Sequence, residues 1–245
     1  MEDLFTLSAL ISLLTLTVLE VVLGIDNVIF VSIILGRIPA ENRLRARRIW
    51  MIGGILMRSV LLLGLGWLVK NGETELFAVS GYGFNLRNVI MFFGGLFLLY
   101  KAVSEIHEKL EGGNDNVDAS TSKKAFAAMM VQILLVDAVF SFDSIITAIG
   151  LADHVEIMIT AVIIAMVVMF FFSNAISGFI DKHPALKMLA LSFLVMVGFM
   201  LFFEGLHPIH QSEIPKGYAY VAMAFSFGVE LLNMRYRKRV VKLNK

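Results

Sequence analysis

Apolar residues occur along this chain in long uncharged blocks rather than at alternating positions. Each block runs for about 18–27 residues, the length that a helix needs to cross the hydrocarbon core of a bilayer. Because no water is available there to bond the backbone, such blocks are predicted to be α-helices. Seven spans are predicted: 9–35, 49–69, 88–106, 125–150, 157–180, 188–206 and 217–234.

Composition agrees with this pattern, since 58% of the 245 residues are hydrophobic and only 17% are charged. Globular domains are less apolar and carry more charge. The segments between the spans are too short for a soluble domain, so a polytopic, all-α membrane protein is predicted and a soluble enzyme is excluded. The first block starts within ten residues of Met1 without a basic segment before it, and it is expected to be a retained helix.

Charge and cysteine content exclude further classes of protein. The formal net charge is only +1, so no basic field points to nucleic acid as a partner. The chain has no cysteine, which excludes disulfides, thiolate metal sites and cysteine nucleophiles.

The distribution of lysine and arginine predicts the orientation in the membrane. If the N-terminus lies outside, 17 of these residues fall in the inner loops and tail and three fall outside. Cytoplasmic loops carry such an excess of positive charge. The chain is therefore predicted to have its N-terminus outside and its C-terminus in the cytoplasm.

An internal repeat relates spans 1 and 4. Glu20, five residues and Asp26-Asn27 align with Asp137, five residues and Asp143-Ser144. Residues 95–107 also align with 198–210, in spans 3 and 6. Because each half has three spans, the second half is predicted to be inverted, as in many secondary transporters.

The repeat defines the predicted organisation of the chain. A Gly-, Asn-, Asp- and Ser-rich segment separates the two halves and is predicted to be a flexible cytoplasmic linker. The predicted parts are a first three-helix repeat (1–110), the linker (111–124), the inverted repeat (125–212), and a seventh helix with a basic tail (213–245).

Carboxylates inside the predicted spans are the candidate functional groups of a site. Each costs at least ~2.5–3.5 kcal/mol in hydrocarbon, so such groups usually face a cavity or a partner. Arg58 and Lys101, also inside spans, are predicted to balance two of them, and the remaining charge of about −3 favours a bound cation. Five of the acids inside spans are taken as candidates: Glu20, Asp26, Asp137, Asp143 and Glu204.

Counting residues along ideal helices predicts two levels of acids. Span 1 and span 4 run in opposite directions, so Glu20 and Asp143 are predicted to share an outer level with Glu204. Asp26 and Asp137 are predicted to share an inner level, roughly 9 Å away at ~1.5 Å per residue.

Span 1 leaves two alternatives for Asp26. On a regular helix, residues six apart lie about 120° apart, so Glu20 shares a face with Asn27 and not with Asp26. Either Asp26 faces a third helix or Gly24 marks a break in the span. A break would also free backbone carbonyls as ligands.

The candidate ligands are all oxygen atoms: the carboxylates, the Asn27 amide and the Ser144 hydroxyl. Oxygen ligands suit magnesium, calcium and manganese, whereas zinc recruits histidine. All five histidines lie at or beyond the ends of spans. Two alternatives stay open, namely that the paired acids only fix helix packing and that Glu204 reaches to the outer interface.

Four segments resemble a known family. LEVVLGIDNVIF (19–30) and LVDAVFSFDSIITAIG (135–150) resemble the paired signature motifs of the TerC family of bacterial integral membrane proteins. GGLFLLYKAVSEIHE (94–108) and HPALKMLALSFLVMVGF (183–199) resemble further segments of its short YgdQ-type branch. The resemblance implies seven helices in the cytoplasmic membrane and export of divalent metal, chiefly manganese. The metal-handling residues that it implies are Glu20, Asp26, Asn27, Asp137, Asp143 and Ser144.

The predicted function is that of a transporter, not an enzyme. It exports Mn²⁺ or a similar divalent cation through a carboxylate site between the repeats, with Glu204 as a further ligand. The metal is substrate, no prosthetic group is expected, and the partners are the metal ion and the bilayer, with a homo-oligomer left open. The alternatives are an intramembrane aspartyl enzyme, which would need two aspartates sharing a proton, and a membrane scaffold in the response to metal or tellurite stress.

The predicted orientation can be tested with reporters. A reporter fused to the C-terminus should be active only on the cytoplasmic side, and one in 107–124 should behave in the same way. A reporter in the segment 70–87 provides the opposite control, since it should be active only outside. A C-terminal reporter that is active only outside would contradict the prediction.

Overall fold

The computed structural model describes residues 6–71, 75–79, 81–111, 123–149, 155–212 and 214–243. Within its helices some side chains also lie outside the description, among them those of Asp26 and Asp143. The described elements are α1 Leu7–Leu23, α2 Ile25–Gly36, α3 Ala40–Asn71, β1 Phe77–Val79, β2 Tyr82–Phe84, α4 Leu86–Leu110, α5 Lys123–Ile149, α6 Val155–Asp181, α7 Pro184–Gly205, α8 His207–His210 and α9 Lys216–Leu243.

The predicted helical character is confirmed, whereas seven crossings are not. Among the described residues, four helices are long and apolar enough to span a bilayer, and α1 with α2 would make a fifth as one bent span. Crossing by α3 and α9 stays a prediction. The described part of α3 carries an arginine cluster and Arg58, and α9 combines Glu230 with a basic end, so both are less apolar than the other helices.

The first span is broken at Gly24, as one of the two alternatives for Asp26 required. The segments Leu7–Leu23 and Asn27–Gly36 meet at 45°. Gly24 ends α1, and its N–H still donates to the carbonyl of Glu20 at 2.8 Å. A side chain at this position would contact Met169 of α6 and the Glu20 carbonyl, so glycine permits the close approach of α6.

A small hairpin departs from the all-α prediction. Strands β1 and β2 pair antiparallel, with Phe77 opposite Phe84. The two rings stack with their centroids 5.5 Å apart, and Gly81 between the strands has a φ of 86°. The alternating side chains of this segment favour a hairpin, but the segment is too short to stand out beside the apolar blocks.

The chain divides into two compact units. The first combines Met1–Leu86 with Asn114–Phe179, and the second combines Arg87–Gly113 with Ile180–Lys245. Each unit thus contains helices from both halves of the sequence. This division is one of spatial contact, and the repeat boundaries inferred from the sequence stay a prediction.

In the first unit, α3 and α5 run parallel. Contacts advance along both helices in the same direction, as the predicted topology of spans 2 and 4 requires. The contacts, from the start of the helices onwards, are Arg45 with Phe126, Gly53 with Leu134, and Arg58 with Asp137.

In the second unit, α4 and α7 run antiparallel and meet at glycines. A Cβ at Gly95 would lie 2.7 Å from the Gly198 carbonyl oxygen and 2.7 Å from the Phe202 Cα. At the other end of the contact, Gly205 lies against the backbone of Phe92. Helices approach this closely in membranes where small residues line the interface. Gly95 and Gly198 are also equivalent in the proposed repeat.

The outward surface of α1 is apolar. Leu7, Leu14 and Val22 expose 74%, 67% and 54% of their surface. Soluble monomers rarely expose contiguous apolar patches of this kind. The bilayer is the environment that such a surface requires.

The glycine contact in the second unit predicts a loss of stability in the Gly95→Ala variant. The added methyl group would meet backbone atoms, which cannot rotate away, so the free energy of unfolding should fall by about 1–3 kcal/mol. Thermal melting in detergent measures this change. Gly228→Ala in α9 is the matched control, since open space surrounds that position among the described residues. A Gly95→Ala protein as stable as this control would contradict the packing.

Candidate functional site

Arg58 lies at the centre of a buried cluster in the first unit. One terminal nitrogen, Nη1, donates to Glu20 Oε2 at 2.9 Å. The other, Nη2, donates to Asp137 Oδ1 at 2.9 Å, and Nε donates to Asp137 Oδ2 at 3.4 Å. The guanidinium group therefore bridges α1 and α5 from its position on α3.

The three side chains of the cluster are almost completely buried inside the protein. The side chains of Arg58, Glu20 and Asp137 expose 1%, 2% and 0% of their surface. With all three groups ionised, the cluster carries one net negative charge. Removing Arg58 would leave both buried carboxylates without a counterion, which costs about 3–5 kcal/mol, whereas removing one acid leaves Arg58 a charged partner.

Close helix contact brings Asp137 to Arg58. Gly54 precedes Arg58 by one turn of α3, and a Cβ there would lie 3.2 Å from Asp137 Oδ2. The absence of a side chain at this position leaves the carboxylate room against α3. Gly54 was not singled out from the sequence, where the pair Gly53-Gly54 signals only close packing.

Two serines extend the cluster along α5. The Ser141 hydroxyl donates to the backbone carbonyl of Asp137, and the Ser144 hydroxyl donates to the carbonyl of Ser141 at 3.2 Å. Ser144 also interacts with the Glu20 carboxylate. The predicted candidates Glu20, Asp137 and Ser144 are thus brought together.

Two buried oxygen acceptors on either side of the bend at Gly24 have no hydrogen-bond partner among the described residues. They are Glu20 Oε1 and the Asn27 amide oxygen, Oδ1. Glu20 and Asn27 expose only 2% and 3% of their surface. Buried polar atoms are nearly always bonded, so such acceptors mark a place where a water or a cation would be stabilised.

The two predicted levels of acids stay a prediction. Glu20 and Asp137, which were assigned to different depths, both contact one guanidinium group. A long arginine side chain can join carboxylates at different depths, so this bridge does not contradict the two levels. The side chains of Asp26 and Asp143, on α2 and α5, lie outside the described residues.

Lys101 and Glu204 belong to the second unit. Lys101 Nζ lies 3.7 Å from Glu105, one turn further along α4. The Glu105 carboxylate is 3% exposed, and the sequence pattern did not single it out because it stands at the end of its span. Its spacing of four residues from a lysine was the available signal.

Glu204 forms an ion pair with Arg87 and is 27% exposed. The pair lies beside a cavity of about 200 Å³ that Phe203, Ser212 and Pro215 also line. Glu204 is therefore more exposed than Glu20, which fits the alternative in which Glu204 reaches towards an interface.

No group of three histidine, aspartate or glutamate side chains is close enough to hold a metal ion, as far as the described residues extend. The described candidates for oxygen ligands are the Glu20 and Asp137 carboxylates, the Asn27 amide and the Ser144 hydroxyl. Carboxylate, amide and hydroxyl oxygens are ligands for hard divalent cations.

The contact at Gly54 predicts that a methyl group there disturbs the cluster. In Gly54→Ala the methyl group would lie 2.5 Å from Met166 Cε and 3.2 Å from Asp137 Oδ2. Both side chains must give way, and the shift of the carboxylate weakens its bonds to Arg58, so stability should fall by about 1–3 kcal/mol. Thermal melting in detergent measures the change. Gly64→Ala on the same helix is the control, because no described atom lies within 4 Å of a Cβ there. Equal stability of the two variants would contradict the role of Gly54.

Comparisons with known proteins give strong similarities to bacterial membrane proteins. The UPF0053 inner membrane protein YgdQ of Escherichia coli (strain K12) is 45% identical over 232 residues, which cover 95% of each chain. A UPF0053 protein of Haemophilus influenzae is 44% identical over 230 residues, covering 94% of this chain and 95% of that protein. The UPF0053 inner membrane protein YoaE of Escherichia coli (strain K12) is 40% identical over 242 residues, 99% of this chain but 46% of that protein.

No solved structure matches the chain. The profile described as the Integral membrane protein TerC family matches residues 5–245. The resemblance found in the motifs around Glu20 and Asp137 is therefore confirmed, and the chain belongs to the TerC family of integral membrane proteins.

Proposed function

We propose that this protein is a secondary transporter that exports a hard divalent cation, Mn²⁺ before others, from the cytoplasm across the inner membrane. The observation that carries the proposal is the pair of buried carboxylates, Glu20 and Asp137, of which Glu20 Oε1 has no partner among the described residues. Carboxylates inside a membrane cost free energy, and those that proteins retain there are typical of ion pathways.

The chemistry of the site supports a hard cation as substrate. Its described ligands are oxygen atoms, and a chain without cysteine offers no thiolate to a soft metal. The cluster keeps one net negative charge after Arg58 has been counted, so it attracts a cation rather than an anion. Manganese as the physiological metal, and export as the direction, come from the family resemblance.

The broken first span also supports transport. Transporter sites are often built where a helix is interrupted near the middle of the membrane. The break at Gly24 lies four residues after Glu20 and three before Asn27, so both candidate ligands flank it. The inner membrane as location is proposed because the relatives YgdQ and YoaE are named inner membrane proteins.

The alternative of an aspartyl enzyme gains no support from the described acids. Such an enzyme needs two carboxylates that share one proton. Glu20 and Asp137 share a guanidinium group instead. The scaffold alternative makes a different prediction from transport and is separated from it by the following experiment.

Neutral variants of the two acids test the proposal. Glu20→Gln and Asp137→Asn each keep the size and hydrogen bonding of the side chain, and each leaves Arg58 one charged partner. Both proteins should therefore insert and fold. Mn²⁺ efflux from cells or proteoliposomes should fall about tenfold or more, since even indirect ligand partners contribute 10–100-fold to metal affinity.

Glu230→Gln is the matched control, because it also removes a carboxylate from a predicted span but lies in the second unit, outside the site. Its efflux should equal that of the wild type. Folded Glu20→Gln and Asp137→Asn proteins with wild-type efflux would overturn the proposed site and favour the scaffold.

A further inference from the structure

The bonds of Arg58 leave little of the carboxylate pair open to a substrate. Both oxygens of Asp137 accept from the guanidinium group, at 2.9 and 3.4 Å, and Glu20 Oε2 accepts at 2.9 Å. Of the four carboxylate oxygens, three are thus taken by the protein's own cation. Glu20 Oε1 is the one without a partner among the described residues.

We infer that Arg58 is a built-in competitor of the transported cation: it occupies Asp137 in the metal-free protein and must release this carboxylate when a divalent ion binds. The inference rests on the proposed function. It adds a residue that sets substrate affinity and that the family motifs around the acids do not contain.

The geometry gives the order of events. An incoming ion first meets Glu20 Oε1, the open acceptor. It gains Asp137 only when Nη2 and Nε of Arg58 leave that carboxylate. Nη1 can keep its bond to Glu20 Oε2 during this exchange, so the guanidinium group stays paired while it swings away from α5.

Arginine suits this role because it cannot leave the site by losing its proton. The guanidinium group stays charged in proteins, whereas a buried lysine readily becomes neutral. The competitor is therefore present in every metal-free molecule. Its return to Asp137 also favours release of the ion, which a transporter needs as much as binding.

Competition between Arg58 and the ion would change the apparent affinity for the ion. The apparent affinity of a ligand falls in proportion to the fraction of molecules that are ready to bind it. Removal of the competitor should therefore tighten binding. A merely structural arginine predicts the reverse, because its removal would let the two acids separate and weaken the site.

The experiment measures Mn²⁺ binding by calorimetry to the full chain in lipid nanodiscs, together with Mn²⁺ efflux from proteoliposomes. In Arg58→Gln the half-saturating Mn²⁺ concentration should fall about tenfold. This is the change expected if Arg58 has released Asp137 in about a tenth of the wild-type molecules. Efflux should fall too, because release of the ion becomes slow. Tighter binding combined with slower transport distinguishes a competitor from a structural residue.

Arg58→Lys provides the second variant. Two carboxylates beside the new ammonium group favour its charged form, so this variant should fold even where Arg58→Gln does not. An ammonium group is a point charge and cannot form the arginine fork, so it should hold Asp137 less firmly. Its half-saturating concentration should lie between those of the wild type and Arg58→Gln.

Arg45→Gln is the control. It removes one positive charge from the same helix, where the guanidinium group lies over Phe126 of the same neighbouring helix, 5.8 Å from the ring centre. Mn²⁺ binding should not change in this variant. Folded Arg58 variants that bind Mn²⁺ no more tightly than the wild type would overturn the inference alone. A wild-type protein that neither binds nor exports Mn²⁺ would overturn the proposed function.

Discussion

A guanidinium group buried between helices dictates much of the first unit. In an apolar interior Arg58 is tolerated only with carboxylate partners, since an unpaired buried charge costs several kcal/mol. Glu20 and Asp137 supply them from α1 and α5, and Arg58 reaches both from α3. The three helices are thereby held in one register, because sliding any of them by a turn would separate a charge from its partner. Apolar packing alone would not fix the register so narrowly.

Small residues provide the approach distances that this arrangement needs. Gly54 gives the Asp137 carboxylate its place against α3, and Gly24 lets α6 approach the bend beside Glu20. In the second unit small residues also allow close approach, since Gly95 and Gly198 bring α4 and α7 together. The described contact between these two helices contains no buried ion pair like that of Arg58. In lipid no hydrophobic force pulls helices together, so backbone proximity and polar bonds determine which helices meet.

The sequence predicted those properties that single residues carry. The cost of placing a charge in hydrocarbon belongs to each residue, so the sequence alone was enough to single out Glu20, Asp137 and Arg58. Their pairing could not be predicted in the same way. It depends on which helices pack together and on the side-chain reach of Arg58, neither of which a count along single helices contains. Glu105 was missed for a related reason, because burial at a span end depends on neighbouring helices.

The balance of charge in the cluster explains why such a site suits passage of an ion better than its storage. Two carboxylates without a counterion would bind a divalent ion tightly and release it slowly. A single fixed cation lowers the affinity while leaving one net negative charge and the open oxygen Glu20 Oε1 to attract the next ion. Conduction requires binding that is strong enough for entry and weak enough for exit. In the mechanism that we propose, Arg58 meets both conditions, since it stabilises the protein without an ion and competes with the ion for the same oxygen atoms.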